Sequence, residues 1–113
     1  MNSMDWIKEF PGAITVCDST GIILAMNDAS IEFYAKDGGK ELIGKNLLDC
    51  HPEPSFSKLK TMLENSLSNI YAEEENGQSK LIYETPWYQD GQPAGLVEFI
   101  LPLPTGAVYI AKE

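Results

Sequence analysis

The sequence has 113 residues, 43% of them apolar and 22% charged, which is the size and balance of one globular domain. Its net charge is −9, and all 8 basic residues are lysines. So acidic a chain disfavours nucleic acid and anionic membrane, which both need a cationic surface, and the lack of arginine removes the usual bidentate clamp for phosphates.

The longest apolar runs, residues 21–26 and 95–101, fall far short of the roughly 20 residues that a spanning helix needs. The opening MNSMDWIKEF has an early acid and no long apolar region, so it does not read as a secretion signal. Cys17 and Cys50 form no CxxC and no metal-ligand spacing. The expectation is two free thiols in a reducing cytoplasm and no metal site.

Along the chain, Ser3 and Asp5 suit the first turn of a short helix, with Trp6, Ile7 and Phe10 as its apolar stripe and Pro11-Gly12 as its end. Residues 13–18 and 22–27 read as strands of a hairpin around Ser19-Thr20-Gly21. Residues 28–36 look helical and are broken by Asp37-Gly38-Gly39. Residues 41–49 form a short helical or irregular stretch. After Pro52 and Pro54, the residues Phe56, Leu59, Met62, Leu63 and Leu67 recur on one helical face, which predicts a helix to about residue 68.

The last third is strand-like. Residues 69–75 end at Asn76-Gly77, residues 79–89 at Asp90-Gly91, and residues 94–101 at Pro102. Alternation puts Tyr83, Val97 and Phe99 on the face toward the helices, and Ile82, Leu96 and Ile100 on the opposite face. Strands segregated from helices in this order define an α+β domain with an antiparallel sheet.

Three stretches carry a resemblance: ITVCDSTGIILAMNDAS, ELIGKNLLDCHPEPSFSKLKTML and KLIYETPWYQDGQPAGLVEFI. In this order they resemble the PAS domain family over about residues 11–103. The segment Asp49-Cys50-His51-Pro52 with Ser55 and Lys58 is most similar to a bacterial subgroup found beside hemerythrin-like regions. The resemblance implies a five-stranded antiparallel sheet in the order 2-1-5-4-3, with helices on one face and a cavity beneath them. It divides the chain into an N-terminal helix (1–10), a PAS domain (11–103) and a C-terminal tail (104–113). It also implies a sensory, signalling module that binds a partner protein or a small ligand and catalyses nothing.

Candidate sites follow. Phe56, Leu59, Met62, Leu63, Tyr83, Val97 and Phe99 either fill the core or line a cavity for a small apolar ligand, with Tyr83 as its polar handle. His51, the only histidine, either bonds the backbone of a turn or ligates haem. Haem-binding members of the family carry that ligand on the long helix, nearer Leu59. Cys50 does not occupy the reactive position of the family's flavin photosensors: Leu47 follows Gly44-Lys45-Asn46 there, so flavin is disfavoured, and Cys50 reads as a packing residue or as one more residue of the candidate ligand cavity. An uncovered sheet face together with the leading helix would pair two copies as a homodimer through Trp6, Ile7, Phe10, Ile82, Leu96 and Ile100. No catalytic set is expected, since one histidine and no nucleophile motif do not assemble an active site.

Overall fold

The computed structural model describes residues 5–104 and 109–112; Ser3 lies outside them. Helix α1 (Asp5–Lys8) precedes a hairpin of β1 (Ala13–Asp18) and β2 (Ile23–Met26). The carboxylate of Asp18 shapes that hairpin by accepting from the Thr20 amide (2.9 Å), the Thr20 hydroxyl (2.8 Å) and the Ile22 amide (3.0 Å). Helix α2 (Asp28–Phe33) comes next, then 3-10 turns at Ala35–Asp37, Gly39–Leu42 and Leu47–Cys50. Helix α3 (Ser55–Asn65) ends on Ser66 in the left-handed region. Strands β3 (Asn69–Glu75), β4 (Gln78–Gln89) and β5 (Gln92–Leu103) complete the chain. In both closing turns, Asn76-Gly77 and Asp90-Gly91, the two residues have positive φ, as a tight hairpin requires.

The sheet is antiparallel throughout and runs β2-β1-β5-β4-β3, the order expected from the resemblance. No helix of the described residues is long and apolar enough to cross a membrane. Strand β5 continues through Pro102, which had been expected to stop it. Pairing with β1 ends at Ala13↔Ile100, so beyond that point β5 has only β4 as a neighbour. A proline is tolerated there because that stretch is locally an edge. The same holds for Pro86, which lies past the end of β3 pairing at Asn69↔Glu84.

The faces of β4 and β5 are the reverse of the expected ones. Directly paired residues share a face, and the rows Ala13↔Ile100↔Ile82 and Cys17↔Leu96 lie beneath the helices. Ala13, Ile82 and Ile100 pack with Ala29 and Tyr34. Cys17, Met62 and Leu96 pack with Leu47 and Leu63. Ile82, Leu96 and Ile100 are therefore core residues and take no part in an outer interface. Tyr83 and Phe99 pair with each other on the outer face, where Tyr83 is 39% exposed. Gly95 lets the strands approach: a Cβ there would run into the Cys17 carbonyl. The indole of Trp87, paired with Gly95, donates to that same carbonyl at 2.9 Å.

Asn27 ties these parts together. It caps α2, and its Oδ1 accepts from the amides of Ile14 (2.9 Å) and Ser30 (3.0 Å). Its Nδ2 donates to the carbonyls of Gly12 (2.8 Å) and Ile7 (3.0 Å). The residue is 4% exposed, so none of these partners is readily replaced by water. Substitution Asn27→Ala leaves several buried backbone groups unpaired and should cost about 3 kcal/mol of stability. Urea unfolding followed by circular dichroism reads that loss; a change below about 1 kcal/mol would show that Asn27 is not the anchor described.

Candidate functional site

A cavity of about 380 Å³ lies between the sheet and the helical layer, within the roughly 300–1,000 Å³ range of small-molecule sites. Its floor is the sheet: Thr15 and Cys17 of β1, Leu96 and Glu98 of β5, and Glu84 of β4. Ile23 and Met26 of β2 close one side. Across from them stand Tyr34, Asp37, Leu42, Leu47, Cys50 and His51, with Leu59 from α3.

Local structure positions each polar group. Ser30 of α2 is fully buried and meets the Thr15 hydroxyl at 2.5 Å, which seats α2 on β1. One turn later α2 ends at Tyr34. There the side chain spans the layers and its hydroxyl donates to Glu98 Oε1 at 2.6 Å. Glu98 pairs with Thr15 on one side and Glu84 on the other. Glu84 in turn accepts from Asn69 Nδ2 at 3.1 Å.

Burial pushes the Glu98 carboxyl above the usual carboxylate range, and nearby Glu84 and Glu73 push the same way. The Tyr34 hydrogen bond and the charge of His51 pull it down without cancelling the rise. Burial, then the Glu98 charge, holds the Tyr34 phenol protonated well above its ordinary value. His51 ends the last 3-10 turn, and its Nδ1 lies 2.8 Å from the Leu47 carbonyl. A carbonyl only accepts, so Nδ1 carries the hydrogen, and Nε2 of the neutral ring is an acceptor.

Of the residues expected at a ligand site, His51, Cys50 and Leu59 border the cavity. Val97 touches it too, although its row, Val16↔Val97↔Thr85, belongs to the outer face. Cys50 is exposed, and its thiol lies 3.6 Å from the Asn46 carbonyl. Met62 is buried against Cys17 and Leu96, Leu63 packs on the same cluster, and Phe56 is half-buried; none of the three borders the cavity. Tyr83 and Phe99 are on the other side of the sheet, so Tyr83 is not the polar handle. Among the residues expected at a dimer interface, Trp6 is exposed while Ile7 and Phe10 are half-buried. The ring of Phe10 lies beside Leu101 at Gly12.

Thr15, Tyr34, Glu84 and Glu98 were not anticipated. Glu98 had one visible signal: it is the only charged residue between positions 94 and 103. Haem does not fit this lining. Its two anionic propionates would meet three carboxyl side chains and neither lysine nor arginine among the lining residues. No group of three or more metal-ligating side chains occurs among the described residues.

No protein-family model and no curated protein sequence matches the chain. Solved structures do. A C-terminal domain from Streptococcus mutans superposes with TM-score 0.69 at 17% identity, over 85% of this chain and 78% of that one. The PAS domain of an HTR-like protein from Haloarcula marismortui gives 0.57 at 16% identity, covering 87% and 86%. VqmA of Vibrio cholerae, in a structure bound to DPO, gives 0.62 at 18% identity, covering 88% of this chain. The chain spans 56% of that VqmA chain. The protein has the PAS fold.

The raised Glu98 carboxyl has a consequence for stability. The folded protein keeps the Glu98 proton to a higher pH than the unfolded chain does. Between the ordinary and the raised value the native state thus binds more protons, and stability falls as pH rises through that window. Glu98→Gln keeps an acceptor for Tyr34 and removes the charge. The variant should melt roughly 4 °C above the wild type at pH 7, with the gap closing near pH 4. Calorimetric melting across pH checks this, and a gap independent of pH would contradict it.

Proposed function

We propose that this domain is a sensory module that receives a small molecule in the cavity over Glu98 and reports its presence through α2 to the N-terminal helix. The observation that carries this reading is the composition of the cavity: apolar walls enclosing a few convergent polar groups, Glu98 and Tyr34 foremost, both with a displaced pKa. VqmA, a structural neighbour, is known in a structure bound to DPO, which is in keeping with a binding role. The reading is one of binding, with signalling to a partner protein as output.

The route of the signal is short. A ligand that displaces the Tyr34 hydroxyl from Glu98 acts on the last residue of α2. The first residue of α2 follows Asn27, whose amide holds Ile7 of α1. A shift of α2 by a fraction of an ångström therefore strains the hydrogen bond to the leading helix. Well-packed elements transmit such shifts because they have little free volume to absorb them.

Two-dimensional amide NMR tests the proposal. Titration with a set of neutral, cationic and anionic ring fragments should include compounds that shift the amides of Thr15, Tyr34, Leu59 and Glu98, and of Ile7 at the far end. Filling the cavity with Leu47→Phe or Leu47→Trp should abolish these shifts while the spectrum stays dispersed. Shifts confined to the surface, or unchanged in both filled variants, would overturn the proposal.

A further inference from the structure

The hydrogen-bonding inventory of the cavity is lopsided. The Tyr34 hydroxyl is spent on Glu98, the His51 Nδ1–H on the Leu47 carbonyl, and the Cys50 thiol on the Asn46 carbonyl. Thr15 shares its hydroxyl with Ser30. Acceptors remain in excess. Tyr34 occupies Oε1 of Glu98, and Oε2 has no hydrogen-bond partner among the described residues. No buried polar side-chain atom of the described residues lacks a partner, so that free oxygen opens on accessible space. Oε1 of Glu84 takes the Asn69 amide, and its other oxygen is free. His51 Nε2 is a further acceptor when the ring is neutral.

Charge is lopsided in the same sense. Glu84, Glu98 and Asp37 border the cavity, and no lysine does. Lys80, the nearest basic residue on β4, turns instead to Glu75 (3.8 Å), Glu73 (4.0 Å) and the ring of Phe33 (5.0 Å). Lys58 of α3 lies 5.8 Å from the ring centre of Tyr71. The groups around Glu98 are thus Tyr34 from the end of α2, Glu84 from β4, Glu73 from β3 and the single His51. An anionic ligand would bring a further negative charge into this setting. A neutral acceptor would find few donors: the hydroxyl hydrogen left over from the Thr15–Ser30 pair and, when the ring is protonated, the His51 Nε2–H.

We infer that the cavity selects a small organic cation that carries N–H donors on an apolar body, an amidine or a protonated amine, with its N–H groups on Glu98 and Glu84 and its body against Ile23, Met26, Leu42 and Leu59. A planar N–H pair matches the two oxygens of a carboxylate, and a charge-assisted bond in a water-poor site is about twice as strong as a neutral one. The cation gives Glu98 a directly bonded positive partner, where the lining itself offers only His51, and the leucines and methionine exclude water from the bond. This inference rests on the cavity being the ligand site.

Three nearly isosteric probes separate the possibilities: benzamidinium, benzamide and benzoate. Each is titrated into the 113-residue chain at fixed ionic strength by calorimetry, with amide NMR locating the contact. Benzamidinium should bind at least about tenfold more tightly than benzamide, and benzoate should not bind. Glu98→Gln should shrink that preference to within about threefold, and Glu84→Gln should remove part of it. If benzamide or benzoate shifts the cavity amides as strongly as benzamidinium, or Glu98→Gln leaves the preference intact, the cation class is wrong and the ligand cavity stands. If other fragments move the cavity amides but benzamidinium does not, the class is wrong as well. If no fragment of any charge moves them, the ligand-site reading falls and the class falls with it.

Discussion

Four hydrogen bonds converge on the side chain of one buried amide, Asn27, and the site above the sheet depends on them. Two fix it to the strand side, at Gly12 and Ile14. One starts α2 and one holds α1. Because α2 is only six residues long, it has too little intrinsic stability to stand without tertiary support. Its direction is set at one end by Asn27 and along its length by Ser30 against Thr15. That direction delivers Tyr34 to Glu98.

Glu98 is where local stability and binding conflict. A carboxyl at the centre of β5, on the buried face, is penalised by desolvation, and the Tyr34 hydroxyl offsets only part of the penalty. An apolar residue there would continue the row of Leu96 and Ile100 and close the core. The domain instead keeps an acid beside a second acid with no cation between them, in a space with apolar walls. Residues that break the rules of core composition concentrate at functional positions, and Glu98 breaks them more plainly than any other residue of the sheet.

The same residue explains what could be read in the sequence and what could not. Local signals were strong where chain geometry alone decides: Asn76-Gly77 and Asp90-Gly91 as turns, the stripe through Leu59 and Met62 for α3, Asp18 to Gly21 for the first hairpin. Their order gave an antiparallel α+β domain, and the strand order came from the resemblance to the PAS family. The phase of β4 and β5 was illegible because both registers are largely apolar. Val97, Phe99 and Leu101 form an uninterrupted apolar set, whereas Leu96, Glu98 and Ile100 contain a charge. Alternation alone sends the charged set to solvent. The real arrangement is the reverse, because Tyr34, more than 60 positions earlier in the chain, supplies the partner that lets Glu98 lie inside. His51 and Cys50, which border the cavity, draw the eye in the sequence because they are chemically rare there. Tyr34 and Thr15 were missed because nothing local distinguishes a tyrosine that bonds a distant acid from one that fills space. Met62 and Leu63 pack with Cys17 and Leu96 beside the cavity.

These features describe a PAS fold in which the central strand holds an acid ready for a cation, and the helix above it leads to the N-terminus. The most direct measurement is the carbon-13 titration of the Glu98 side-chain carboxyl by NMR, alone and saturated with benzamidinium. The account predicts a midpoint above the usual carboxylate range in the free protein and a fall on saturation, because the bound cation favours the ionised form. An ordinary midpoint in the free protein, or one that benzamidinium leaves unmoved, would contradict it.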